Sequence, residues 1–177
     1  MISIEKDIDW LHKVSHSMML NPSIMNDVKR VLERKLLLLG KEALGIAWVQ
    51  IKRPKKSEFH KAFGDGSYKA LLNTPWRAFA MRMLQNNVIK TFCNPYIEGI
   101  QDNTKRVVHI EQCLSVKGNY KVERYEEITL GWAETTQKKG ILNFPEMHLT
   151  GRDAMVAQHE MDHLDGILIS DRGKKVK

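Results

Sequence analysis

The order of periodicities along this chain predicts an α+β fold: a single domain of mainly antiparallel sheets around one central helix, with an N-terminal helix packed against them. Three observations carry that prediction. A helical apolar stripe comes first, short strand-like runs separated by turn signals follow, and a second helix arrives near the end. At 177 residues, 42% hydrophobic and 28% charged, the sequence suits one globular domain with a proper core.

From Ser23 to Leu39, the residues Ile24, Val28, Val31, Leu32, Leu36 and Leu39 keep to one stripe, and Gly40 stands where a helix stops. Core packing explains this helix. Ala43 to Ile51 is apolar with small residues and reads as a buried extended segment, in which Gly45 permits close approach of a backbone or a ligand. From the residues alone, Gln50 is a strand-end glutamine satisfied by nearby backbone. Residues 52 to 75 read as an insertion or surface loop, with a turn at Gly64-Asp65-Gly66 and a short helix near Lys69 to Asn73.

Arg77 to Met83 and Val88 to Cys93 read as strands about the turn Gln85-Asn86-Asn87, with Asn94-Pro95 closing the second and Cys93 a buried strand thiol. Val107 to Val116 is another strand-rich run. Ile128 to Trp132 and Ile141 to Phe144 then flank the hairpin signal Gln137-Lys138-Lys139-Gly140. Thr150 with Asp153 opens the last helix in the manner of a capping box, and Asp165-Gly166 ends it, giving a helix over 151 to 164.

That helix carries QHEMDHLDGIL, Gln158 to Leu168, whose His159 and His163 stand four residues apart. Four residues turn a helix by about 400°, so both imidazoles share a face and can reach one divalent metal, with Glu160 beside them as a proton acceptor. A catalytic metal needs a third ligand. The downstream positions used by elongated HExxH proteases hold Ile169, and no Glu follows His163, so the ligand lies upstream. Cys113, Cys93, His109 and His148 are the candidate donors.

The N-terminus mixes Glu5, Lys6, Asp7 and Asp9 with its apolar residues, and the longest aliphatic run is Leu36 to Leu39. Neither a signal peptide nor a membrane span is expected, and the expected location is cytoplasmic, with both cysteines reduced. The net charge of +7 is concentrated in two places: residues 52 to 75 hold six basic and two acidic side chains, and residues 171 to 177 hold four and one. Such segments suit a polyanionic partner or simple solvation.

Three separated motifs together resemble the peptide deformylases, metal hydrolases that remove the formyl group from N-terminal methionine. QHEMDHLDGIL matches that family's third motif, Glu111-Gln112-Cys113-Leu114-Ser115 its EGCLS motif, and Ala43-Leu44-Gly45-Ile46-Ala47-Trp48-Val49-Gln50 its GxGLAAPQ motif. The resemblance implies Cys113, His159 and His163 as ligands of one divalent ion, with ferrous iron expected and zinc or nickel as substitutes. It implies Glu160 as general acid/base, and the Gln50 amide and Leu114 N–H as oxyanion donors. Leu44, Gly45 and Gln112 would line the bound peptide, with Met155 and Val156 against the methionine side chain. It also pairs Arg124 with Asp162 behind the ligand helix.

Ala43, Trp48, Val49 and Gln112 depart from the family pattern, replacing Gly, Ala, Pro and Gly. The sequence also stops at Lys177 without the long C-terminal helix of many bacterial relatives. The expected substrates are N-formylmethionyl peptides. The two basic segments are expected to dock near the ribosomal exit tunnel, with no membrane and no specific DNA as partner. The alternatives are a catalytically weak metal-binding homologue acting as a ribosome-binding or regulatory module, and another metal amidase on the same fold. Intact Gln50, Leu114 and Glu160 positions favour the enzyme, because a structural metal has no use for them.

Overall fold

The structure, a computed structural model, describes residues 4–13, 15, 22–51, 75–100, 104–135 and 142–176. The expected 52 to 75 insertion and its short helix thus lie, up to residue 74, outside the described residues, as does the turn at 137 to 140. A short helix α1 (Ile8–Leu11) is capped by Asp7, whose Oδ1 accepts from Trp10 N at 3.2 Å. Helix α2 (Pro22–Leu38) follows, with Val28, Val31, Leu32 and Leu36 of the predicted stripe buried, Met25 buried beside them, Ile24 and Leu39 partly buried, and Gly40 left-handed at φ +85° beyond its end.

The strands are β1 (Gly45–Ala47), β2 (Ala78–Arg82), β3 (Ile89–Glu98), β4 (Arg106–Glu111), β5 (Asn119–Tyr125), β6 (Glu127–Thr135), β7 (Leu142–Asn143), β8 (Glu146–Thr150) and β9 (Lys174–Val176). Helices α3 (Gly151–Leu164) and α4 (Ile169–Arg172) lie between β8 and β9. A larger sheet runs β1-β2-β3-β6-β7 with β8 also on β6, and a smaller one runs β4-β5-β9. Every pairing of these strands is antiparallel. The α+β expectation holds.

Strand β2 is buried on both faces, which explains its apolar run from Ala78 to Met81. Ala78 and Ala80 pack with Val28, Leu32 and Leu36 of α2, whereas Phe79 and Met81 pack with Ala154, Ala157 and Met161 of α3. The large sheet is therefore the middle layer, and α3 is held rigidly against it. That rigidity positions the two histidines.

Five local readings differ from the structure. The segment ending at Ile51 is strand only as far as Ala47; Trp48–Gln50 forms a 3₁₀ turn, because the Gln50 side chain folds back to accept from Ala47 N at 2.9 Å. Asn94-Pro95 does not close β3. The strand passes through a register shift between Cys93 and Tyr96, where Asn94 takes φ +46° and donates to Arg77 O at 2.8 Å. An Asn tolerates that left-handed geometry and a Pro cannot donate to the ladder, so the pair makes a bulge.

The run from Val107 leaves the ladder after Glu111, freeing 112 to 116 to turn toward α3. Asp153 does not complete a capping box with Thr150, which makes no side-chain cap. Its carboxylate instead accepts from Leu84 N at 3.1 Å, tying α3 to the end of β2. Finally, Lys174–Val176, read from the sequence as part of a basic tail, pairs with β5 as an edge strand.

Candidate metal centre

Helix α3 turns His159 and His163 toward the place where the chain leaves β4, and Cys113 follows that exit by two residues. One ligand atom each from Cys113, His159 and His163 lies within 4.8 Å of the others, the one such group found among the described residues. Cys113 Sγ is 3.3 Å from His163 Nε2. The other candidate donors lie elsewhere. Cys93 is buried in β3, where burial pushes its thiol up to about 12. His148 faces Glu127 at 3.4 Å on an exposed surface. His109 lines the same cleft but stands outside the cluster.

The donor chemistry fits a divalent cation. A thiolate and two imidazoles form a borderline-soft set suited to zinc or ferrous iron. The Nδ1 of His159 is held by Glu111 Oε2 at 2.9 Å, which leaves Nε2 for a ligand. The Gln50 amide nitrogen stands 3.0 Å from His163 Nε2; an amide nitrogen only donates, so that ring nitrogen carries a lone pair. Burial holds the His163 pKa well below its ordinary value, keeping it neutral as a ligand must be. For His159, burial opposes the charge, but hydrogen bonds to Cys113 and Glu111 outweigh it and lift the pKa to about 10. A cation on Nε2 competes with that proton.

Behind the ligands runs a buried ionic network that the sequence reading recovered only in part. Arg124 forms a two-pronged pair with Glu111 at 2.9 and 3.0 Å and a second pair with Asp162, which Arg172 also contacts. The Arg124–Asp162 pair was expected. The motifs alone give no role to Glu111 or Arg172, although Glu111 opens the EQCLS motif and that position is a signal. Burial pushes the Glu111 carboxyl up, yet its hydrogen bonds to His159 and Arg124 bring it down to about 2. It is a full anion behind the ligand imidazole.

Glu160 is only 3% exposed, and burial raises its carboxyl to about 7. Its Oε2 is buried with no hydrogen-bond partner among the described residues. The carboxylate lies against β1 so closely that a Cβ on Gly45 would stand 2.9 Å from Glu160 Cδ. Glycine at 45 is what admits Glu160 to the site.

A cleft of about 690 Å³ opens over this cluster. Leu44, Gly45, Gln50, Gln112, Cys113, Leu114, Met155, Val156, His159 and Glu160 all line it, while His163 lies beneath its floor at 1% exposure. Residues 42–45, leading into β1, and His109–Glu111 of β4 line it along with α3, and β1 and β4 are each an edge strand of their sheet. Gln112, the departure from glycine, is exposed and donates from Nε2 to Asn119 Oδ1 at 2.7 Å. His109 and Arg152, which had no assigned place in the cleft, also line it. Arg152 precedes Met155 by three residues and Val156 by four on α3, the spacing that places side chains on one helix face.

Comparison with known proteins agrees with this geometry. A peptide deformylase of Pelagibacter ubique is 36% identical over 122 residues, 67% of each chain. Peptide deformylase 2 of Xanthomonas axonopodis pv. citri is 36% identical over 88 residues, 49% of this chain and 47% of that one. The alignment thus spans about half the length of the latter relative. In fold, the chain is similar to the crystal structure of a probable peptide deformylase from synechococcus phage S-SSM7, with a TM-score of 0.70 at 21% identity over 97% of this chain and 99% of that one. The peptide deformylase from Thermotoga maritima gives 0.67 at 22% identity, covering 97% and 95%. With the polypeptide deformylase family model matching residues 41–177, this chain belongs to that family.

Proposed function

We propose that this protein hydrolyses the formamide of N-formylmethionyl peptides, releasing formate and a free N-terminal amine. The observation that supports it best is the convergence of Gln50 and Glu160 on the Cys113, His159 and His163 cluster, since a structural metal needs neither. Cys113, His159 and His163 would hold one divalent ion, with ferrous iron the proposed native metal. When bound, that ion supplies Lewis-acid polarisation and acidifies a water.

The chain's own residues do the rest. Glu160, poised near neutrality by burial, takes the proton from the attacking water and returns it to the leaving nitrogen as the C–N bond breaks. The Gln50 amide and the Leu114 N–H face the oxygen on which negative charge develops, each donor contributing about 3 to 4 kcal/mol in comparable hydrolases. The peptide lies between the open edges of β1 and β4, along Leu44, Gly45 and Gln112, and adds its backbone to them. Met155 and Val156 receive the methionine side chain.

The test is hydrolysis of formyl-Met-Ala-Ser by anaerobically prepared, iron-loaded protein, with formate measured directly. Formate release with multiple turnovers is expected; metal-replete protein that releases none would sink the enzyme reading. The proposed setting is the cytoplasm, at the ribosomal exit tunnel, through phosphate contacts of the basic segments. Lys174 and Lys175 are exposed on β9, while Lys52, Lys55 and Lys56 lie outside the described residues. Reversing these five to Glu should weaken ribosome co-sedimentation at low salt and leave short-peptide hydrolysis unchanged. Unaltered co-sedimentation would remove the docking idea alone.

A further inference from the structure

The two proposed oxyanion donors lie 64 positions apart in the sequence, Gln50 on the 3₁₀ turn after β1 and Leu114 on the loop after β4. Different sheets carry them. Among the described residues, the segment 4–11 touches both, and it precedes the 41–177 span matched to the family. Glu5 N donates to Gln50 O at 2.7 Å, and the next residue, Lys6, places its ammonium on Leu114 O. Trp10 adds a third point, donating from Nε1 to Val49 O at 3.1 Å, and Ile4 bridges to Ile51.

We propose that residues 4 to 11 act as a positioning clamp that sets the separation and aim of the two oxyanion donors. The proposal rests on the deformylase reading of the site. The segment is itself firmly seated. Leu11 is fully buried against Val49 and the α3 layer, and the Glu5 carboxylate accepts from Lys6 N at 2.9 Å and Asp7 N at 3.0 Å, fixing the turn that aims Lys6. Asp7 then caps α1 and so sets the position of Trp10. His12, just past the segment, reaches Asp171 at 3.3 Å and so ties it to α4, the short helix that follows α3.

What the clamp controls is orientation. The 113–115 loop is held from inside by Ser115 N on Cys113 Sγ at 3.4 Å and by the Gln50 amide on Ser115 Oγ at 3.4 Å. From outside, among the described residues, the side-chain hold on it is Lys6. Fixing the Leu114 carbonyl fixes the 114–115 peptide plane and so narrows the backbone rotations of Leu114, on which the aim of its own N–H, in the 113–114 peptide, depends. A donor helps catalysis only if it is aimed before charge develops. Lys6 touches no reacting atom, so its effect belongs on kcat.

The experiment uses the full-length, metal-loaded protein with formyl-Met-Ala-Ser, comparing Lys6→Met, Lys6→Arg and Trp10→Phe. Phe keeps a ring in the core but has no Nε1 donor. Lys6→Met should lower kcat about tenfold, less than outright deletion of an oxyanion donor, with KM within about twofold and metal content unchanged. Trp10→Phe should do the same more weakly, and Lys6→Arg should restore most of the loss. Amide hydrogen exchange at 113–115 should quicken in Lys6→Met and at 48–51 in Trp10→Phe. Parental kcat in both variants overturns the clamp, as does a kcat loss that arrives with lost metal. If the parent hydrolyses no formyl peptide, the deformylase reading fails separately, and the exchange rates alone decide whether the clamp exists.

Discussion

Glu111 Oε2 receives His159 Nδ1 at 2.9 Å while its two oxygens also take both prongs of Arg124, so one carboxylate orients the His159 ring and neutralises a buried cation. Removing it harms both. Glu111→Ala should reduce metal affinity about 10- to 100-fold by releasing the His159 ring. It should also cost about 3 kcal/mol of stability, because Arg124, 4% exposed, keeps only Asp162 among the described residues for its charge. Glu111→Gln, which keeps the shape, should lose less of each. Metal titration and denaturant unfolding read the two effects, and parental metal affinity in Glu111→Ala would show that His159 needs no orienting carboxylate.

Glu160 and Gly45 make a second pair that geometry couples. Glu160→Ala should retain one metal per chain and lose nearly all formyl hydrolysis, since it deletes the proposed proton carrier and none of the proposed ligands. Gly45→Ala should mimic it in part: the new Cβ would stand 2.9 Å from Glu160 Cδ and force the carboxylate aside. Gln50→Ala should fall by roughly a hundredfold, the usual loss for one of two oxyanion donors. Elemental analysis beside steady-state kinetics checks all three. Active Glu160→Ala, or Gly45→Ala with parental kcat, would contradict the corresponding assignment.

The sequence made much of this legible because its strongest signals are local. The i, i+4 histidines on α3, the apolar stripe of α2 and the glycine at 45 each follow from spacing or from the absence of a side chain. What stayed hidden was long-range. Nothing in the letters says that Glu5 and Lys6 return to positions 50 and 114, or that Arg172 reaches Asp162, because those contacts depend on how the sheets stack. Misread elements had the same origin. Asn94-Pro95 looks like a stop until β6 is present to pair on both sides of the bulge, and Asp153 looks like a cap until Leu84 offers a donor. The family resemblance supplied roles for Gln50 and Leu114 that the residues alone did not.

Gln112 reaches across the cleft rim to Asn119 at 2.7 Å, both residues lining the groove. Its side chain is exposed, so Gln112→Gly should change stability by no more than about 1 kcal/mol, within the usual effect of a surface glycine substitution. Binding should respond more. Loss of the Gln112–Asn119 bridge opens the rim beside β4, and the KM for formyl peptides should shift severalfold while metal content stays constant. Asn119→Ala, which frees the Gln112 amide without deleting it, should shift KM in the same direction if the bridge itself shapes the groove. Identical KM in all three proteins would show that the substrate does not pass this rim.

The two cysteines should differ sharply in reactivity, because only thiolates react appreciably. Cys93 is 6% exposed in β3 and burial pushes its pKa up to about 12. At pH 8 that leaves about one thiolate in ten thousand, and the surrounding core excludes the reagent as well. Cys113 lines the cleft and is partly exposed. Chelator-treated native protein should therefore take up one iodoacetamide group, at Cys113, whereas metal-replete protein should resist labelling because the ion holds that thiolate. Cys113→Ala should label negligibly while folded and bind markedly less than one metal per chain. Mass spectrometry of the digested adduct locates the label, and elemental analysis counts the metal. Rapid labelling of Cys93 in the folded chain would mean that β3 opens far more readily than its burial allows, and full metal stoichiometry in Cys113→Ala would remove the thiolate from the ligand set.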